Sequence, residues 1–198
     1  LERVVQIPLA QGPDSLGRVV ELTEAAQSLL KTLAHPPDAL IAAIRGDIAS
    51  VRTVEFPASA AKRIGEILPF ELETLLPFDP KDAVIDHQTL DVRDGKLRVL
   101  AVAVPRDRVR AALDQLDRVG LDPHELAVGA AALDGLVALR PELAGPDVVL
   151  LLEVAEAHTD LCLLDRGQCV LARSITVGSD SLPRAADLLG REIQRTLA

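Results

Sequence analysis

Residues 148–176 read VVLLLEVAEAHTDLCLLDRGQCVLARSIT, and this stretch decides the fold. Three apolar segments, Val148–Val154, Thr159–Leu164 and Gln168–Thr176, are separated by Ala155–His158 and by a turn at Asp165-Arg166-Gly167. Short runs rich in Leu and Val, bounded by turn residues, predict strands, and consecutive strands joined this tightly form a β-meander. Ser181 is then the expected cap of a final helix whose apolar stripe is Leu182, Ala186, Leu189, Ile193 and Leu197. The turn at Gly145-Pro146-Asp147 opens the meander and marks a change of composition, which makes it the candidate lobe boundary.

Working back from that boundary, strand and helix patterns alternate. Ala83–Val92 and Leu97–Val104 read as a hairpin, because Asp94-Gly95 between them readily takes the positive φ of a tight turn. Ala39–Ile44 and Val51–Phe56 read as strands joined around Gly46-Asp47. A helix is predicted from about Ser59 to Leu76, with Ile64, Ile67, Leu68, Leu72, Leu75 and Leu76 on one face and a kink or break at Pro69. Arg106–Val119 reads as a helix with Val109, Leu113 and Leu116 inward and Gly120 just past its end. Leu126–Val128 reads as a short strand and Ala130–Leu139 as a short helix stopped by Pro141. At the N-terminal side, Arg3–Leu9 is strand-like, and a helix over Leu16–Leu33 is capped by Ser15 and stopped at His35-Pro36-Pro37.

Composition narrows the function. The chain has 198 residues, a net charge of −9, 48% hydrophobic residues and only 2% aromatics. A chain this long buries roughly 70% of the surface that its unfolded form exposes, so it needs no covalent staple. The core must be aliphatic, which suits helices packed on sheets. So few aromatics exclude a base-stacking platform, and the acidic balance argues against binding a phosphate backbone, leaving nucleic acid out as a partner. Cys162 and Cys169 have neither metal-ligand spacing nor the count of a secreted disulfide framework, and read as reduced core residues. The longest apolar runs, such as Val99–Val104, fall far short of the roughly 20 residues needed to span a bilayer. No signal peptide is seen, and the chain reads as soluble and cytoplasmic. Leu1 is not an initiator methionine, so the chain reads as a fragment whose membrane contact, if any, lies in parts outside it.

Recognisable catalytic chemistry is absent. His35, His87, His124 and His158 lie in separate segments without a ligand spacing and read as surface or turn residues. Neither a dinucleotide-type glycine motif nor a P-loop occurs. Glu71 and Glu73, two apart on a helix, point to different faces, and Asp82 with Asp86 reads as a solvated acidic edge. The turn Ala155–His158 is suggestive, because a tight turn between strands aims N–H groups outward, where they suit a phosphate. Its small residues are alanines, however, and Glu156 adds negative charge, so an ordinary hairpin is the preferred reading.

Two blocks together carry a family resemblance. The first runs from Arg52-Thr53-Val54-Glu55-Phe56-Pro57 through Ile64–Glu73, Leu76-Pro77-Phe78-Asp79 and Asp86-His87-Gln88-Thr89-Leu90. In order of pieces it resembles PilM-like pilus assembly proteins and the related cytoplasmic domain of the type II secretion L protein. The second, Val148–Leu197, resembles the second phosphate hairpin of the actin-like superfamily, followed by Ala172-Arg173-Ser174-Ile175, Gly178 and the helix ending Glu192-Ile193-Gln194-Arg195-Thr196-Leu197.

The resemblance implies an α/β, actin-like (ribonuclease H-like) fold. Its first lobe would span residues 1–146 with an inserted subdomain at about 50–104, and a partial second lobe would span 147–198. The first phosphate hairpin and the rest of the second lobe would lie outside the chain. The implied function is non-enzymatic: a cytoplasmic scaffold at the bacterial inner membrane, in protein transport or pilus assembly. Its expected partners are the cytoplasmic secretion or pilus ATPase and inner-membrane platform proteins. The alternative is an ATP-binding protein in which Glu153, Ala155, Thr159 and Gly178 line a degenerate ATP/Mg site. Where the family usually has Asp-Ile-Gly, this chain has Glu153-Val154-Ala155, which favours the scaffold with no cofactor. For a partner surface the expected residues are Phe70, Glu71, Glu73, Pro77 and Phe78, a turn aromatic rimmed by carboxylates. A core-plugging role for Phe70 and Phe78 is the equal alternative.

Overall fold

The structure is a computed structural model that describes residues 38–197 together with Glu24, Ser28, Leu30 and Lys31. The expected strand Arg3–Leu9, the Ser15 cap and the His35-Pro36-Pro37 stop lie outside the described residues, while the four described positions of the expected helix Leu16–Leu33 are helical. The fold is mixed α/β. Its elements are β1 (Ile41–Ile44), β2 (Ser50–Pro57), α1 (Ile64–Leu72), β3 (Ala83–Arg93), β4 (Lys96–Pro105), α2 (Arg106–Arg118), β5 (Glu125–Val128), α3 (Gly129–Ala132), β6 (Val148–Val154), β7 (Thr159–Asp165), β8 (Gln168–Ile175) and α4 (Ala186–Leu197). Packing groups the chain into two units, Leu1–Ala42 with Asp107–Ala127, and Ala43–Arg106 with Val128–Ala198.

In the first unit α2 ends as its sequence requires. Gly120 has φ 75°, its N–H bonds the Asp117 carbonyl at 2.9 Å, and the Leu121 N–H bonds the Leu116 carbonyl at 2.9 Å. These are the two bonds of a Schellman cap. β1 pairs with β5. His124 prepares that pairing, its N–H donating to the Leu40 carbonyl at 2.8 Å while its Nδ1 accepts from the Leu40 N–H at 3.2 Å.

The second unit holds two three-stranded antiparallel sheets, ordered β2-β4-β3 and β6-β7-β8. Two of its three hairpin turns use paired positive φ, at Asp94 (51°) with Gly95 (75°) and at Arg166 (53°) with Gly167 (78°). Turns of this kind match the strand twist. Strand β4 is covered on both faces. On one, Leu97, Val99 and Ala101 pack with Val54 and Phe56 beneath Ile64, Leu68 and Leu72 of α1. On the other, Leu100 packs with Leu90, Cys162, Leu164, Cys169 and Ala172. Both cysteines are free and buried, as expected. The Cys162 thiol, hydrogen-bonded to Cys169 and stripped of solvent, is held well above the ordinary thiol range.

Two bulges tie the sheets together. Thr89 lies opposite Val99 and Asp91 opposite Arg98, so Leu90 is the extra residue in β3. A bulge turns two successive side chains toward one face. Leu90 therefore enters the core while Asp91 accepts two bonds from Arg98, at 2.8 and 3.0 Å. Arg93 bridges Asp91, at 2.7 Å, to Asp165 in β7, at 2.9 Å. Between β7 and β8, Leu163 faces Leu171 and Leu164 faces Cys169, leaving Val170 of β8 as the extra residue. Its carbonyl accepts from the Thr53 hydroxyl at 2.5 Å.

Three sequence expectations are corrected. The expected helix Ser59–Leu76 divides into a 3-10 segment, Ala58–Arg63, and α1, which runs through Pro69 without breaking. Pro69 removes only a bond to the carbonyl of Gly65, an exposed residue whose carbonyl water can satisfy. The expected helix Ala130–Leu139 is one α-turn followed by 3-10 structure over Leu133–Ala138. Ser181 does not cap the last helix: its hydroxyl donates to the Gly178 carbonyl at 2.9 Å, closing the preceding turn, and α4 begins at Ala186.

Asp91 and Asp134 bend the pH profile in opposite directions. Hydrogen bonds from Arg98 hold the Asp91 carboxyl below its ordinary range. That contribution is present above the unfolded pKa of about 3.9 and is lost as pH falls through the lower folded value. Burial raises the Asp134 carboxyl despite N–H bonds from Gly135 and Cys169. Its contribution is full below about pH 3.9 and is lost as pH rises through the higher folded value. Urea midpoints followed from about pH 7 to about pH 3 are expected to show Asp91→Asn weaker than wild type at neutrality, with the deficit shrinking as pH falls below about 3.9. Asp134→Asn keeps an acceptor, so it gains stability at neutrality and loses that advantage in acid.

Candidate functional site

The β6–β7 turn is built by short-range bonds. The Ala155 N–H donates to the His158 carbonyl at 2.9 Å, closing the turn. Chain following β8 then lies across it, the Ser179 N–H donating to the Ala155 carbonyl at 2.9 Å and the Asp180 N–H to the Glu156 carbonyl at 3.0 Å. That approach requires glycine at 178, because a Cβ there would meet the Glu156 carbonyl oxygen at 2.1 Å and the Ala157 nitrogen at 2.6 Å. Thr159 is fully buried, and its hydroxyl donates to the Val177 carbonyl at 2.7 Å. Of the four residues expected to line a nucleotide site, Ala155, Thr159 and Gly178 therefore meet around one turn. Glu153 lies on β6 with its side chain exposed.

Sequence reading passed over Asp160. It is 2% exposed, with Oδ1 unpartnered and Oδ2 3.9 Å from Nε2 of His158. Two glycines make room for it: a Cβ on Gly46 would come within 3.3 Å of Oδ1, and one on Gly129 within 3.0 Å of Oδ2. The available clue was an acidic residue between Thr159 and Leu161 inside an apolar strand. Another pairing unites residues of the second block, since Arg173 donates to Glu192 at 2.6 Å and to Thr196 Oγ1 at 2.7 Å, joining β8 to α4.

The expected partner surface divides. Phe70 is 74% exposed at the end of α1, flanked by exposed Glu71 and Glu73, while Pro77 is exposed and Phe78 half-buried. Phe70 is therefore no core plug. Among the described residues no group of three or more His, Cys, Asp and Glu side chains is placed to hold a metal, and no helix is long and apolar enough to cross a membrane.

Comparison with solved structures follows from this geometry. The structure described as the PilM-PilN type IV pilus biogenesis complex superposes with TM-score 0.63 at 25% identity, covering 89% of this chain and 57% of that one. The chain is similar in structure to pilus and secretion assembly proteins. The cytoplasmic domain of EpsL, an inner-membrane component of the type II secretion system of Vibrio cholerae, superposes with TM-score 0.56 at 19% identity, covering 85% of this chain and 60% of that one. A Bacteroides thetaiotaomicron protein with an actin-like ATPase fold gives TM-score 0.45 at 13% identity, over 87% of this chain and 62% of that one. The chain thus spans about three fifths of the length of the structures it matches. No family model and no curated protein matches it.

Gly178→Ala separates the two strands of chain that meet at the turn. The expected cost is about 1–3 kcal/mol, the usual penalty of overpacking. Amide exchange at Ser179 and Asp180 should accelerate more than exchange within β7, because only their bonds cross the forced gap.

Proposed function

We propose that this chain is part of a non-enzymatic, actin-like scaffold in a type II secretion or type IV pilus assembly platform at the cytoplasmic face of the inner membrane. Residues 1–146 would form its first lobe, with an insert at about 50–104, and 147–198 the start of a second. The observation that carries this reading is the match over 89% of the chain, at 25% identity, to the structure described as the PilM-PilN type IV pilus biogenesis complex. A PilN-like platform protein and the cytoplasmic secretion or pilus ATPase are the proposed partners.

The β6–β7 turn supports a scaffold over a nucleotide-loaded protein. Gly178 occupies one side of the turn, the Thr159 hydroxyl is engaged inside the fold, and Glu153 would set a carboxylate against a nucleotide's phosphates. Phosphate entry on the Gly178 side would have to displace residues 178–180. The outer end of α1 supports a protein contact. An aromatic left 74% exposed beside carboxylates suits a partner segment that is apolar and basic.

Calorimetric titration of the cytoplasmic ATPase into the chain tests the surface. Phe70→Ala is expected to weaken binding by about tenfold or more while leaving the melting temperature near wild type. Leu68→Ala, two residues earlier on the buried face of α1, is expected to lose about 2–5 kcal/mol of stability. Unchanged binding by Phe70→Ala would remove this surface from the scaffold reading. Titration with Mg-ATP is expected to give no saturable heat, and submillimolar binding would establish the nucleotide alternative instead.

A further inference from the structure

We propose that the pocket between β2 and β8 binds a primary alkylammonium group. β2 and β8 are edge strands of their sheets, and where they meet a cavity of about 200 Å³ is lined by Gly46, Asp47, Ser50, Ala130, Arg173 and Ser174, among others. The scaffold reading neither requires nor supplies it.

Three buried oxygens gather at this place without a hydrogen-bond partner: Ser50 Oγ, Ser174 Oγ and Asp160 Oδ1. Ser50 is 6% exposed and Asp160 2%. The two serines share the lining of the cavity, and Ser174 stands directly opposite Asp160 across β7 and β8. Glycine at 46 keeps that corner open, because a Cβ there would stand 3.1 Å from the Ser174 Cβ and 3.3 Å from Asp160 Oδ1. Buried polar atoms are normally paired, and an unpaired carboxylate is the costliest of them to leave.

Charge selects the occupant. The second oxygen of Asp160 meets His158 Nε2 only at 3.9 Å. Asp47 sets a second carboxylate in the lining, and Arg45, whose Nε donates to it at 3.0 Å, is bound there rather than to Asp160. Arg173 is held by Glu192 and Thr196. Arg52 is exposed and donates to the Val51 carbonyl at 2.8 Å, so its charge stands in solvent, where it is screened. The buried end of the pocket is therefore negative, and an anion there would set its charge against Asp160 and Asp47. An ammonium group has three donors and no acceptor, which matches three orphan oxygens. Each serine hydroxyl can accept from it while turning its own proton to a carboxylate. Pro77, Ala130 and Ala172 supply apolar wall for the methylene stem that such a group carries.

The full chain titrated with n-butylammonium chloride at constant ionic strength, followed by backbone amide NMR, tests this. Saturable shifts are expected at residues 46–50, at 160 and at 172–174. Asp160→Asn should weaken binding about tenfold or more, and Ser50→Ala and Ser174→Ala each severalfold. Asp160→Asn also removes a buried charge that has no close partner, so its melting temperature is expected at or above that of wild type. If that variant fails to fold, the two serine variants carry the test. Arg52→Ala takes away a like charge and should leave binding equal or tighter. Nα-acetyl-lysine methylamide binding as tightly as butylammonium identifies a protein lysine as the source, and its exclusion identifies a free amine. Shifts that do not saturate, that survive Asp160→Asn or both serine variants, or that 1-butanol reproduces overturn the proposal. So does weakening by Arg52→Ala, or displacement of butylammonium by equimolar magnesium chloride.

Discussion

Strand β4 has to be covered on both faces, and the second unit is arranged around that constraint. Val99 and Ala103 are fully buried, and Leu97, Leu100 and Ala101 are nearly so, in a strand whose only charged interior residue is Arg98. A half-exposed strand alternates apolar and polar residues; this one does not. One face takes α1, whose Leu68 and Leu72 are each 1% exposed. The other takes the second sheet, so β6-β7-β8 is held by the back of the strand that α1 covers from the front. At roughly 1.5–3 kcal/mol for each large aliphatic side chain fully buried, this double layer outweighs any single polar bond in the unit.

The polar bonds settle register instead. Arg98 is the one residue of β4 that brings charge to the sheet interface, and it is acceptable there because the Leu90 bulge turns Asp91 to meet it. Were Leu90 paired regularly instead of bulged, it would face Arg98, alternation would carry Asp91 to the face covered by α1, and the guanidinium would keep only Asp165, at 3.9 Å. The bulge at Val170 does the complementary job, releasing a carbonyl for Thr53. Two local irregularities thus make the inter-sheet contact specific, while the aliphatic layer supplies its strength.

Much of this was legible in the sequence, for reasons that can be stated residue by residue. The meander Val148–Thr176 and the hairpin around Asp94-Gly95 were readable because the turns at Arg166-Gly167 and Asp94-Gly95 need positive φ and the meander's strands are short and apolar. Gly120 was readable as a helix end for the same reason. The bulges were not, because a register slip depends on the facing strand and leaves no mark in its own. Val99–Val104 carried more than was read from it: an unbroken apolar run too short for a bilayer is also the mark of a strand buried on both faces. Ser181 misled because a hydroxyl before a helical stripe serves a turn as readily as a cap. At the candidate site, the family resemblance pointed to Ala155, Thr159 and Gly178 but not to their mutual contact. That contact comes from chain beyond β8 folding back. Asp160 left one clue, an acid within an apolar strand, but the two distant glycines that house it could not be tied to it from sequence.

The turn and the exposed aromatic differ in what the fold has already used. At the β6–β7 turn the carbonyls of Ala155 and Glu156 and the hydroxyl of Thr159 are committed to the chain itself, so a ligand there would have to compete with bonds the native state makes without it. At the end of α1 nothing competes, since Ile64, Leu68 and Leu72 complete the helix's contribution to the core and Phe70 lies outside it. A side chain that contributes little to folding and exposes a large apolar area costs nothing in stability to engage elsewhere. The same asymmetry explains how a chain with so few aromatics can leave one on its surface: its core closes with aliphatic side chains and Phe56 alone among the phenylalanines fully buried.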